Sequence, residues 1–250
     1  GTSNTFDVQS GGIDAANSTV TASPLTLDAG QSSILTIDLR DGSNNAVAGV
    51  DAGSFTVNLT GDATAGSVNE QAGGTYTASI TNETAETVTA SVTVNGTQLD
   101  NTPQIDFTPA DADPLSSTAT VPNGAAGEQT TVSISVADEF GNAVSGVADD
   151  LVVSVTSGPN TGASFDALTD NSDGTYTTGY TPSAIGTDEI TITLNGSEIS
   201  GSPYSSTVTT SDVSASNSSA SANPTTLEAG SASTVTAVIR DGSNNPIADL

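Results

Sequence analysis

Arg40-Asp41-Gly42-Ser43-Asn44-Asn45 recurs 200 residues later, letter for letter, as Arg240-Asp241-Gly242-Ser243-Asn244-Asn245. The match widens on the N-terminal side. Ala22-Ser23-Pro24 corresponds to Ala222-Asn223-Pro224, and Leu27-Asp28-Ala29-Gly30 to Leu227-Glu228-Ala229-Gly230. A further copy lies between, as Asp138-Glu139-Phe140-Gly141-Asn142-Ala143-Val144. At a spacing of 100, Gly74-Thr75-Tyr76-Thr77 returns as Gly174-Thr175-Tyr176-Thr177, Val94-Asn95-Gly96 as Leu194-Asn195-Gly196, and Pro103 as Pro203. A fixed period of this kind marks a chain built from copies of one supersecondary unit, here about 100 residues long.

Within each copy the apolar residues alternate. Leu35, Ile37 and Leu39 are separated by Thr36 and Asp38; Phe55, Val57 and Leu59 by Thr56 and Asn58; Val88, Ala90, Val92 and Val94 by polar or small residues. Val132, Ile134 and Val136, Leu151, Val153 and Val155, and Ile190, Ile192 and Leu194 repeat the pattern. A period of two buries one face of a strand and wets the other. Strands set apart by Gly- and Asn-rich turns in a repeat of this length predict an all-β protein of tandem immunoglobulin-like β-sandwich domains. Asp-x-x-Gly-Asn follows an alternating strand, where Gly and Asn suit a reversal of the chain. Leu35, Ile37, Phe55, Val57, Tyr76 and Val92 are the predicted core of one sandwich; Val132, Ile134, Val153, Tyr176, Ile190 and Ile192 are that of the next. Tyr76 and Tyr176 each open a strand after Gly-Thr, the place of a ring that caps the sandwich while its hydroxyl reaches backbone. The expected boundaries are 1–12 for the end of a preceding domain, 13–110 and 111–210 for full domains, and 211–250 for the start of another. Thr5 to Val8 aligns with the last strand of a unit, so the array is expected to continue in both directions, with its domains separate and arranged lengthwise.

Composition excludes several classes of function. The 250 residues hold no His, Cys, Met, Trp or Lys; Arg40 and Arg240 are the only cations, and the formal charge is -27. Without Cys there are no disulfides and no thiolate metal site. Without Lys there are no Lys–Asn isopeptide staples. Nucleic acid and anionic membranes need a basic surface, and no apolar run approaches the roughly 18 residues of a membrane span. The acidity has two readings, life in strong salt that screens repulsion or plain solubility.

The motifs resemble two families. Ser18 to Pro24, Ala29-Gly30, Asp41 to Val50, Asp138 to Val147 and Asp241 to Ile247 resemble the bacterial immunoglobulin-like repeats of invasin- and intimin-type adhesins. Asp173-Gly174-Thr175-Tyr176, Tyr180-Thr181-Pro182, Gly186 and Gly201-Ser202-Pro203-Tyr204 resemble filamin-type repeats. Both resemblances imply the sandwich fold and a stalk-like role. Neither an adhesin's lectin-like tip nor filamin's actin-binding head has a counterpart here, so no partner residues carry over.

No catalytic or cofactor-binding residues are predicted, and the chain is read as non-enzymatic: Ser and Thr have no His or Lys to act as base. Carboxylates are the only groups left for chemistry. Asp111 and Asp113, at a domain junction, are the candidate interdomain calcium ligands, because calcium takes several carboxylate and carbonyl oxygens; a solvated acidic linker is the alternative. Asp149-Asp150 is a second acidic pair. The Asn-x-Ser/Thr sequons at Asn17, Asn58, Asn82, Asn95, Asn195 and Asn217 are as many as chance supplies in so Ser- and Thr-rich a chain. The functional expectation is a rigid spacer in an extracellular, cell-surface adhesin or stalk from a salty habitat. Its partners are its own neighbouring domains, with other copies or host proteins and glycans reached through regions outside the segment. A subunit segment of an extracellular filament or surface layer, and a glycan-binding module, are the alternatives.

Overall fold

The computed structural model describes residues 11–248. It is all-β but for two single 3-10 turns, Ala52–Ser54 and Ala148–Asp150. Two compact units are distinguished, Gly1–Ala110 and Asp111–Leu250. The strand expected at Thr5 to Val8 lies outside the described residues.

In the first unit the strands are β1 (Thr19–Ser23), β2 (Thr26–Asp28), β3 (Ser32–Asp38), β4 (Phe55–Leu59), β5 (Thr64–Ala65), β6 (Asn69–Glu70), β7 (Thr75–Thr81), β8 (Thr87–Val94), β9 (Thr97–Gln98) and β10 (Gln104–Thr108). One sheet has the order β1-β3-β7-β5, with β6 also on β7; the other is β2-β10-β8-β4, with β9 on β8. All pairs are antiparallel except β2 with β10. The period-two pattern fixes the register. Leu35 faces Ala78, and Ile37 faces Tyr76 across β3 and β7, so every inward residue meets another inward residue. Leu35, Ile37, Val88, Val92 and Ile105 have no exposed surface. Each such side chain contributes roughly 1.5–3 kcal/mol through burial.

The second unit repeats the plan with β11 (Thr118–Thr120), β12 (Gly124–Ala125), β13 (Thr130–Ser135), β14 (Leu151–Ser157), β15 (Thr169–Asp170), β16 (Thr175–Tyr180), β17 (Gly186–Leu194), β18 (Ser197–Glu198) and β19 (Tyr204–Thr209). Its sheets run β11-β13-β16-β15 and β12-β19-β17-β14, with β18 on β17. Val132, Ile134, Tyr176, Ile190 and Ile192 are buried between them. Beyond β19, β20 (Ser219–Asn223) and β21 (Thr234–Val238) form a separate antiparallel hairpin.

The Gly-Thr-Tyr motif has a structural cause. Gly74 has φ +80°, and a Cβ there would come within 2.9 Å of the Val47 nitrogen and 3.1 Å of the Leu39 oxygen. That close approach lets Leu39 N donate to Gly74 O at 2.9 Å. Two residues on, the Tyr76 ring is 1% exposed. Its hydroxyl accepts from Val50 N at 3.0 Å and donates to Val47 O at 3.3 Å. Tyr176 does the same with Val147 N at 3.1 Å and Val144 O at 3.0 Å. Both tyrosines are core residues gripping the loop that crosses between the sheets.

Phe55, Val57 and Val153 depart from expectation: they are half-buried, packed on the core from its side. The reason is position. β4 and β14 are outer strands of their sheets, so one flank of each is open, although Leu151 and Val155 on β14 are still covered. Phe55 lies with its ring centroid 4.8 Å from that of Tyr76. Phe55→Ala is expected to cost about 2 kcal/mol in chemical denaturation, below the ~3–5 kcal/mol of a fully enclosed phenylalanine, because solvent already reaches one side of the ring.

Candidate functional site

The repeated Asp-x-x-x-Asn stretch carries one buried carboxylate in every copy. β3 ends at Asp38, and the chain pinches back through an isolated bridge between Arg40 and Ala46. Inside the pinch Asp41 is 4% exposed. Its Oδ1 accepts from Ser43 N and Asn45 N, both at 2.9 Å. The Asn45 amide Nδ2 donates to both oxygens, at 3.2 and 3.1 Å. Oδ2 also accepts from Gly11 N at 2.8 Å, on the segment entering the sandwich. The reversal is completed at Asn44, with φ 65°.

The other copies do the same. Asp138 is 0% exposed and accepts from Phe140 N at 3.0 Å, Asn142 N at 2.8 Å and Asn142 Nδ2 at 2.8 Å. Asp241, also 0% exposed, accepts from Ser243 N at 2.9 Å, Asn245 N at 2.7 Å and Ser211 N at 3.3 Å. A buried carboxylate with this many donors is a satisfied group, and no buried side-chain nitrogen or oxygen among the described residues lacks a partner.

A serine completes each lock. Arg40 N donates to Ser18 Oγ at 3.0 Å, Ala137 N to Ser117 Oγ at 3.2 Å, and Arg240 N to Ser218 Oγ at 3.0 Å. The entry turn itself is capped: Asn17 N donates to Asp14 Oδ1 at 2.9 Å, and Ser116 donates through N at 2.8 Å and Oγ at 2.7 Å to Asp113 Oδ2. Asp113 is thus placed in the entry turn of the second unit, with its carboxylate on Ser116, and Asp111 is exposed beside it. Among the described residues no three acidic side chains converge in a group that would hold a metal ion. Asp149 and Asp150 are exposed in the 3-10 turn before β14.

Carboxylates are expected on turns and wet faces, and for Asp41, Asp138 and Asp241 the second half of that fails. They are on turns, but turned inward. The signal was present: Asn at four residues beyond Asp in all three copies. A second buried network escaped it altogether. Asp188, 0% exposed, accepts from Tyr180 Oη at 2.6 Å, Asn160 N at 3.0 Å and Asn160 Nδ2 at 2.8 Å. Burial and then the bond to the Asp188 carboxylate push the Tyr180 hydroxyl well above the usual phenol range.

The donors govern ionisation. The Gly11 backbone bond first, then those from Asn45, hold Asp41 down to about 2. Burial opposes ionisation of Asp241, and the donors from Asn45's counterpart Asn245, Ser211 and Ser243 outweigh it, leaving it below the usual carboxylate range. A depressed carboxylate stabilises the fold fully above its unfolded value near 4, and that stabilisation fades as pH falls toward the folded value. The first unit's melting temperature is therefore expected to drop steeply between about pH 4 and 2. Asp41→Asn, which has nothing to titrate there, melts lower at pH 7 and shows a shallower acid dependence.

No curated protein matches the chain in sequence. Residues 14–110 match the family model described as invasin, domain 3, and residues 111–205 that of the filamin/ABP280 repeat. Among solved structures, the Escherichia coli adhesin FdeC is 26% identical, with TM-score 0.73, over 97% of this chain and 79% of that one. InvD of Yersinia pseudotuberculosis is also 26% identical, with TM-score 0.61, over 94% of this chain and 73% of its own. Invasin, a bacterial integrin-binding protein, shares the fold at 19% identity and TM-score 0.52, over 92% of this chain and 48% of its own. The chain thus carries an invasin domain 3-type repeat followed by a filamin-type repeat, and its fold is similar to that of the immunoglobulin-like bacterial adhesins.

Proposed function

We propose that this segment is a spacer in a cell-surface adhesin, with sandwiches 13–110 and 111–210 setting reach and carrying no chemistry of their own. The observation that carries the reading is the resemblance to FdeC along nearly the whole chain. The recurrence of one entry lock, Asp41, Asp138 and Asp241 each with its own Asn, supports it. A spacer needs copies that start alike, and these do. The segment's working partners are its neighbouring domains, and host proteins or glycans are met by other regions of the adhesin. With 29 acidic residues against two arginines, the exposed carboxylates repel one another, and an extracellular, salt-rich setting screens them.

Sedimentation equilibrium should give a monomer of 24.5 kDa at every NaCl concentration, with a melting temperature that climbs from 0.01 to 1 M as the Debye length falls from about 30 to about 3 Å. Ordered polymers would contradict the spacer and favour a layer or filament subunit; a melting temperature unmoved by salt would contradict the screening. The same melts with millimolar calcium address Asp111 and Asp113. A saturable rise that disappears in the Asp111→Asn, Asp113→Asn double variant would make them calcium ligands. No rise would leave Asp113 as the cap of its turn.

A further inference from the structure

The distal end of the second sandwich carries a feature that its own fold does not need. The β12–β13 turn and the β16–β17 loop meet there, joined by Gly127 N donating to Pro182 O at 2.7 Å. Beneath the loop lies the Asp188 network. Asn160, fixed by Asp188, accepts from Ser183 N at 2.9 Å and Ala184 N at 2.8 Å, and donates to Ala184 O at 2.7 Å. A buried, fully satisfied polar cluster specifies one geometry, and here it leaves the Ser183 carbonyl pointing outward. That carbonyl accepts from Asn245 Nδ2 at 3.0 Å. Beside it Gly127 has no side chain, and a Cβ there would lie 2.6 Å from Ser243 Oγ.

We infer that Gly127 and the Ser183 carbonyl form a seat for the Asp241 turn of the following repeat, so that the buried carboxylate motif also sets how one repeat is mounted on the last. The comparison within the chain supports this. Ser43 and Asn45 of the first unit are exposed, whereas their counterparts Ser243 and Asn245 are half-buried. The connection is short as well. Thr209 O is held by Ala126 N at 2.9 Å on the second sandwich, and Ser211 N is held by Asp241 at 3.3 Å on the next repeat. Thr210 alone lies between the two anchors. A one-residue link with a hydrogen-bonded seat beside it leaves little freedom to swing. The inference rests on the spacer reading and gives it a joint.

The test is 15N relaxation on the whole 250-residue chain. Amides of β20 and β21 should tumble with those of β13 and β17, with order parameters near about 0.85. The Asn245 side-chain amide should show NOEs to Ser183 and Ala184. Ser243→Leu puts bulk against Gly127 while keeping the turn, since Phe140 occupies the same place in the Asp138 turn. In that variant the hairpin amides should fall below about 0.6, while cross-strand NOEs between Ala220 and Ala237, partners in the hairpin, persist. Independent tumbling of the wild-type hairpin, or absence of the Asn245 NOEs, overturns the seat whether or not the variant folds. So does a variant hairpin as ordered as the wild type. Polymers in the sedimentation experiment would sink the spacer reading and leave the relaxation result standing.

Discussion

An ionised carboxylate is costly to take out of water, and it stays ionised in a protein interior only where donors replace the water it lost. That constraint shapes each repeat. To bury Asp41 the chain must bring Ser43 N, Asn45 N and the Asn45 amide around it, which forces a tight reversal after β3. It must also bring Gly11 N, which fixes where the chain enters. Once entry segment and strand end are tied together, β1 can pair only with β3 in the register that buries Val20 opposite Ile37. A local electrostatic requirement thus becomes a statement about which face of the sheet is inside.

The tyrosine corner works on the same stretch from the other side. Tyr76 Oη holds the 47–50 loop just after the Asp41 turn, and Gly74 allows backbone to approach backbone there. The polar bonds of Asp41, Ser18 and Tyr76 therefore converge on residues 39–50, around an apolar core that has few aromatics to fill it. In a chain with 4% aromatic residues, directional bonds do part of what bulk does elsewhere. The second unit adds the Asp188, Asn160 and Tyr180 network, with Phe165 stacked on Tyr180 at 5.0 Å.

Much of this was legible in the sequence. Alternation at Leu35-Ile37-Leu39 and Ile190-Ile192-Leu194 marked strands and their inner faces, because period two has one structural meaning. The repeat made the sandwich plan readable twice over, with the start of a third copy in 211–250. Edge position was not legible: Phe55 and Val57 alternate as well as Leu35 and Ile37 do, and only the sheet order, with β4 outermost, explains why they are half-buried. The inward turn of Asp41, Asp138 and Asp241 was also hidden, since composition assigns carboxylates to water. What identified them was a relation between two positions, Asp and the Asn four residues on, and its meaning lies in three-dimensional donors. The pairing of Asn160 with Asp188, 28 residues apart, has no repeat to advertise it.

The buried carboxylate, and not surface acidity at large, holds each repeat together. Chemical denaturation of Asp41→Ala beside Asp100→Ala tests it most directly, because Asp41 is enclosed by donors and Asp100 is exposed. Asp41→Ala should bring a large fall in the first unit's unfolding midpoint, because several buried donors lose their acceptor. Asp100→Ala should leave the midpoint unchanged or raise it slightly by relief of repulsion. Equal midpoints for the two variants would contradict this.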